Sequence, residues 1–251
     1  MQFKKISKFF VLTVVFQVIT AAEVFATATT HIWAPSADVQ PYKKWHLTSD
    51  FYVPAESDVN GARPNTITNF GLTVGILPFK NLNAEVGFDH KSGYGALDDY
   101  PWYFNTKVGV PEGSFGEFSP KLAVGIYDVG TNSEKTGYNV VYGKAGKTIS
   151  LGDFSLGTFS VGYFSGDSDL LLHSGKKDND GALVCWERTL TEISDKLWVA
   201  VDYQGSRSSY GALNLGFSWK FSDNTSMIFG YDIYNDRDLA DTYTVQVDID
   251  F

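Results

Sequence analysis

Leu213-Asn214-Leu215-Gly216-Phe217-Ser218-Trp219-Lys220-Phe221 is the stretch whose pattern decides the fold. Every odd position carries a large apolar side chain, and the even positions carry Asn, Gly, Ser and Lys. A period of two sorts these sets onto opposite faces of a β-strand. A helix would scatter the apolar set around its axis. The chain terminus repeats the pattern: Tyr243, Val245, Val247, Ile249 and Phe251 alternate with Thr244, Gln246, Asp248 and Asp250. Moving outward, Leu82, Ala84, Val86 and Phe88 oppose Asn83, Glu85, Gly87 and Asp89, while Phe70, Leu72, Val74 and Ile76 oppose Gly71, Thr73 and Gly75. Leu122, Val124 and Ile126 follow suit, as do Leu197, Val199, Val201 and Tyr203. No sustained helical stripe runs through the chain.

Marking each alternating run predicts about twelve strands, at 42–53, 65–78, 81–90, 101–110, 119–128, 137–148, 154–164, 180–190, 196–204, 210–221, 224–234 and 241–251. The parity slips near Gly143 and near Gly157-Thr158, which predicts bulges there. Connections after even strands are mostly short, as at Phe79-Lys80 and Ser222-Asp223, with Pro111 to Phe118 longer. Those after odd strands are mostly longer and polar, as at Lys91 to Tyr100 and Ser165 to Asn179. Short turns at one end of a sheet and long loops at the other mean that the two ends meet different surroundings.

The chain of 251 residues holds 19 Phe, 14 Tyr, 6 Trp and 24 Gly, and its formal charge is −9. Aromatic residues at this density argue against disorder, and the acidity argues against a nucleic-acid partner. A single cysteine, Cys185, excludes an internal disulfide framework. At the start, Lys4, Lys5 and Lys8 precede an apolar run from Phe9 to Ala22, and the small residues Ala26 and Ala28 follow. This is the layout of a secretory signal peptide over 1–26, too short to span a bilayer as a helix. Its removal takes away three lysines and one glutamate, so the remainder is more acidic still. Residues 27–41 read as a short periplasmic or plug-like lead-in, and 42–251 as one β domain.

An ordinary sandwich also alternates. Lipid accounts better for three features. The polar parity carries charges while the other parity is uniformly large and apolar. Aromatic residues gather near strand ends, as at Trp45, Tyr52, Trp102, Tyr103, Tyr163, Trp186, Trp219 and Tyr243. The chain ends on a strand, which pairing with the first strand would protect. With its signal peptide, alternating strands and terminal Tyr243-x-Val245-x-Val247-x-Ile249-x-Phe251, the chain resembles a Gram-negative outer-membrane β-barrel of the small porin or channel kind. The resemblance covers about 42–251 at the level of architecture and names no subfamily. It implies an all-β, antiparallel, up-and-down transmembrane barrel integral to the bacterial outer membrane. It also implies that Tyr243, Val245, Val247, Ile249 and Phe251 are read by the barrel-assembly machinery, and that membrane lipid and lipopolysaccharide surround the barrel.

Parity assigns a lumen lining of Lys44, His46, Asp50, Glu85, Asp89, Asn105, Lys107, Lys121, Glu187, Asp202, Gln204, Lys220, Asp232, Gln246 and Asp248. Charges of both signs with glycines between them suit a narrow polar path for small polar solutes. A closed lumen of mutually satisfied ion pairs is the competing reading, and would make the barrel a surface or structural protein that binds partners through its loops. Leu170, Leu171 and Leu172, in the longest polar loop, are candidates for a constriction.

Catalysis fits less well. Asp89-His90 and Asp98-Asp99 are adjacent pairs, so the members of each pair point apart on a strand, unlike the acid and histidine pairs that activate water at the rim of protease barrels. His173-Ser174 lacks the His-x-Ser strand placement that a barrel phospholipase would need. Gly146-Lys147-Thr148 has no glycine where a phosphate loop requires one, and Asp178-Asn179-Asp180-Gly181 lacks the downstream glutamate of a calcium loop. The sequence therefore predicts no enzyme, cofactor or metal site, and Cys185, on the lumen parity, reads as inert packing.

Overall fold

The computed structural model describes residues 30–57 and 61–251. The signal peptide expected over 1–26 lies outside the described residues. Twelve antiparallel strands close into a barrel: β1 (Trp45–Pro54), β2 (Ile67–Gly75), β3 (Asn83–Ser92), β4 (Trp102–Val110), β5 (Lys121–Gly130), β6 (Gly137–Leu151), β7 (Phe154–Ser165), β10 (Asp180–Thr189), β11 (Leu197–Gln204), β12 (Ala212–Ser222), β13 (Thr225–Tyr234) and β14 (Thr242–Asp250). Each strand pairs with its neighbour in sequence, and β1 pairs with β14 from His46↔Asp250 to Pro54↔Thr242. Closure leaves no free edge.

A two-stranded hairpin, β8 (Leu172–His173) with β9 (Lys176–Lys177), lies within the loop between β7 and β10, and a 3-10 turn over Gly95–Asp99 lies between β3 and β4. Alternation carries no signal for either, because a two-residue strand shows no repeat of its period and a 3-10 turn does not have a period of two. No helix among the described residues is long and apolar enough to cross a membrane.

The strands turn one parity outward and the other inward. On the outer face Val124 is 63% exposed, Val161 62%, Val141 54% and Phe104 51%. Exposure of this order at residues of this kind is a face that water would not tolerate. On the inner face polar side chains are buried, among them His46, Asp50, Glu85, Lys107, Asp202, Asn214, Gln246 and Asp248.

Of the two bulges the sequence predicts, the one at Gly157 is present: the β6–β7 register shifts between Ile149 and Ser150, and Gly157 takes a φ of 99°. Near Gly143 the register runs straight on both sides, so the slip expected there is absent. A different bulge interrupts β5 between Tyr127 and Val129, with Asp128 at a φ of 55°. It turns Asp128 inward and buries it, where strict alternation would have put it with Leu122, Val124 and Ile126 on the outer face.

Candidate functional site: the barrel lumen

Residues 30–41 occupy the lumen. The segment turns tightly, with His31 N–H donating to the Ala34 carbonyl at 2.9 Å, and His31, Ile32, Ala34, Pro35, Ser36, Ala37 and Gln40 are buried. Residues 30–41, part of the stretch read from the sequence as a short periplasmic or plug-like lead-in, thus lie against the inner wall. The physical reason lies in the wall, whose polar side chains satisfy the segment's main chain. The Asp202 carboxylate accepts the N–H groups of Ile32 (2.7 Å), Trp33 (3.1 Å) and Ala34 (3.2 Å). Gln246 donates to the Ile32 carbonyl at 2.7 Å, and Lys144 donates to that of Pro35 at 2.9 Å. Lower down, Lys107 donates to the Asp38 carbonyl at 2.5 Å, Lys121 meets the Asp38 carboxylate at 2.6 Å, and the Gln40 N–H donates to Glu85 at 2.6 Å. Hydrogen bonds to charged groups contribute about 1.5–3 kcal/mol each, which makes this a seated element.

Steric fit supports the seat. A Cβ on Gly216 would come within 2.9 Å of the Ile32 Cδ1, and one on Gly230 within 3.1 Å of its Cγ2. Ile32 packs there with Trp198, Ala200 and Ile228.

The segment divides the lumen. At the end with the short turns, Asp38 and Gln40 bridge Glu85, Lys107 and Lys121 across to Asp250, which accepts from the Gln40 side chain at 3.1 Å. Beside it, against β1 to β5, a cavity of about 480 Å³ reaches from His46, Thr73, Glu85 and Lys107 up to loop residues that include Pro64, Leu97, Tyr210 and Leu239. The cavity thus meets the long loops at one end and the segment at the other.

Its wall is ordered by polar contacts. Asn69 donates to Asp50 (3.0 Å) and to Asp89 (3.2 Å), Asn105 donates to Asp89 (2.8 Å), and Thr48 donates to Asp50 (2.5 Å). Near the loops Lys91 pairs with Asp128 at 2.6 Å, stands 4.9 Å from the centre of the Tyr103 ring, and Tyr210 donates to the same Asp128 carboxylate. Tyr138 lies against both Tyr103 and Tyr210, and the plug residue Trp33 meets Tyr52 and Tyr234 edge-on.

The residues assigned to the lumen by parity are placed as follows. His46, Asp50, Glu85, Lys107, Lys121, Asp202, Gln204, Asp232, Gln246 and Asp248 are buried on the inner face. Asp89 and Asn105 line the cavity, and Glu187 pairs inside with Lys121 (3.3 Å) and His31 (3.4 Å). Lys220 stands at the turn end, 3.9 Å from Asp223. Lys44 is exposed in the turn before β1, where no strand imposes a parity on it. In the candidate constriction, Leu171 alone is buried, packed on Ala34, Val140, Tyr142, Phe164 and Leu183, whereas Leu172 is 41% exposed and Leu170 is partly exposed. Asp89 faces the cavity while its neighbour His90 contacts Trp102, so the two do not form one site. In the terminal strand Tyr243 is exposed outward, Val245, Val247 and Ile249 are partly buried, and Phe251 lies just past β14 and exchanges backbone hydrogen bonds with Trp45.

Sequence reasoning missed Lys91, Asp128, Lys144 and the tyrosine group. Lys91 was counted with the following loop, Asp128 is turned in by the bulge, and Lys144 follows the slip expected at Gly143. The inward glycines Gly216 and Gly230 were a usable signal for the plug, since they mark where something bulky must lie against the wall.

No family model matches the chain, and no curated protein sequence matches it. Among solved structures the chain is similar to a KdgM porin, with a TM-score of 0.48 and 9% identity over 83% of this chain and 99% of that one. It is similar to outer membrane phospholipase A from Escherichia coli, at 0.45 and 13% over 85% and 94%. It is also similar to Salmonella typhi OmpF in complex with daunomycin, at 0.39 and 9% over 83% and 96%. One of these is named a porin and another a phospholipase, so the likeness is one of barrel architecture and assigns no activity.

Proposed function

We propose that the chain is an outer-membrane barrel of the channel type, open at its long loops and closed toward its short turns by residues 30–41. In an up-and-down outer-membrane barrel the short turns are periplasmic and the long loops external. The apolar outer face supports placement in lipid, with lipopolysaccharide around the external half, and the terminal strand serves the barrel-assembly machinery. The observation that carries the channel reading is the cavity running from the loops down to the Gln40–Glu85 contact, with carboxylates and bases set along its wall. Small polar solutes enter it from outside, and passage requires Asp38 and Gln40 to leave their partners. Liposome swelling tests this. Reconstituted full-length protein should speed swelling in small sugars and amino acids, and a variant lacking residues 30–41 should speed it further. Swelling no faster than in empty liposomes for both would refute it.

The seated plug supports a second reading, a permanently closed barrel that acts through its loops. Under that reading the full-length protein gives no swelling while the variant lacking residues 30–41 does.

A further inference from the structure

We propose that the cavity binds a small organic cation, one bearing a primary ammonium or guanidinium group, between Asp50 and Asp89. The inference rests on the reading of the cavity as open to solutes from the loop end.

The first ground is how the charges around the cavity are matched. From β1 to β5 its lining carries the carboxylates of Asp50, Glu85, Asp89 and Asp128, and the bases His46, Lys91 and Lys107. Glu85 pairs with Lys107 at 3.3 Å, Asp128 with Lys91 at 2.6 Å, and His46 lies 3.3 Å from Asp248 and 3.0 Å from Asp250. Asp50 and Asp89 are left with neutral hydrogen-bond donors, Thr48, Asn69 and Asn105. Lys91, two residues beyond Asp89 on the same strand, makes its ion pair with Asp128 and acts on Asp89 as a nearby charge, so Asp50 is the carboxylate with no cation beside it. A carboxylate confined among low-dielectric walls without a cation is poorly compensated, and a ligand cation supplies what is missing.

The second ground is the surplus of acceptors. Asn69 spends its amide N–H groups on the two carboxylates and ties them into one acidic stretch of wall. Two carboxylates on one stretch of wall, with acceptor capacity beyond what Thr48, Asn69 and Asn105 fill, call for a ligand rich in N–H donors. Gly71 keeps the place open: a Cβ there would come within 2.5 Å of the Asp89 Oδ1, so the carboxylate lies flat on the wall.

The third ground is a precedent inside the same cavity. Lys91 already places a primary ammonium between a carboxylate and the Tyr103 ring, 4.9 Å from its centre. The aromatic lining, with Trp33, Tyr52, Tyr94 and Tyr103, suits the alkyl or planar body of an organic cation and favours it over a hydrated metal ion. Among the described residues no group of three or more His, Cys, Asp or Glu side chains converges to hold a metal.

Three four-carbon probes test the proposal by titration calorimetry on the detergent-folded full-length protein: butane-1,4-diamine, its isostere butane-1,4-diol, and the dianion succinate. The diamine should bind, the diol about tenfold or more weaker, and succinate not at all, as charge-assisted contacts require. Asp50→Asn and Asp89→Asn should each weaken diamine binding by about tenfold while the barrel keeps its heat-modifiable migration in gels. Absence of diamine binding, equal binding of diamine and diol, or folded Asn variants that bind as tightly as the parent would each overturn it. The probe comparison stands even if a variant does not fold. Solute passage without diamine binding removes this site and leaves the channel reading. Diamine binding without solute passage does the reverse.

Discussion

Asp202 shows how much rests on one side chain in this lumen. It is fully buried, accepts three successive main-chain N–H groups of the plug, and takes a fourth donor from Asn214 at 2.7 Å. Asp202→Asn keeps the shape but replaces one acceptor oxygen by a donor that faces other donors. The loss is about 1–3 kcal/mol for each hydrogen bond so disturbed. In an Ala37→Cys, Cys185→Ser background, maleimide labelling at residue 37 should rise clearly on Asp202→Asn. Ala37 is 2% exposed when the plug is seated. Unchanged labelling would mean that Asp202 does not hold the segment. Asp202 was legible from the sequence, since it sits squarely in an alternating run. Asp128 was not, because one extra residue in a bulge reverses a parity that no local pattern announces. Lys44 lies just before β1, where no strand enforces alternation.

Among the elements, the twelve strands fall within a few residues of the runs marked by alternation, because an apolar outer face and a polar inner face impose a two-residue period along each strand. Residues 30–41 lack any period, since their place is set by contacts to many strands at once, and so their location was unreadable directly. The loop between β7 and β10 is fastened similarly. Ser206 donates to the Asp178 carbonyl at 2.5 Å, and Arg207 reaches the Asp178 carboxylate through its backbone N–H (3.1 Å) and its guanidinium (3.3 Å). Burial alone would raise the Asp178 carboxyl, but these Arg207 contacts hold it below its ordinary value of 3.8. A lowered carboxylate pKa stabilises the latch above that ordinary value, and the stabilisation is lost as pH falls through the lower, folded one. A spin label at Lys176 should therefore become more mobile below about pH 4. In Arg207→Ala the label should be mobile at every pH. A label equally restrained in both proteins across that range would show that the latch contributes nothing.

At the scale of the whole molecule, a chain of modest average hydropathy separates, over its described residues, into an apolar outside and a charged, hydrogen-bonded inside. That separation was legible from composition and alternation together. How far the lumen is open was not, because opening depends on whether a segment without pattern lies inside it. The central claim is the proposal that residues 30–41 close the lumen toward its short turns. Single-channel recording in planar bilayers tests it most directly, comparing the full-length protein with a variant lacking residues 30–41. The account predicts small or brief steps for the full-length protein and steady steps several-fold larger for the variant. Equal conductance in the two, or none in either, would contradict it.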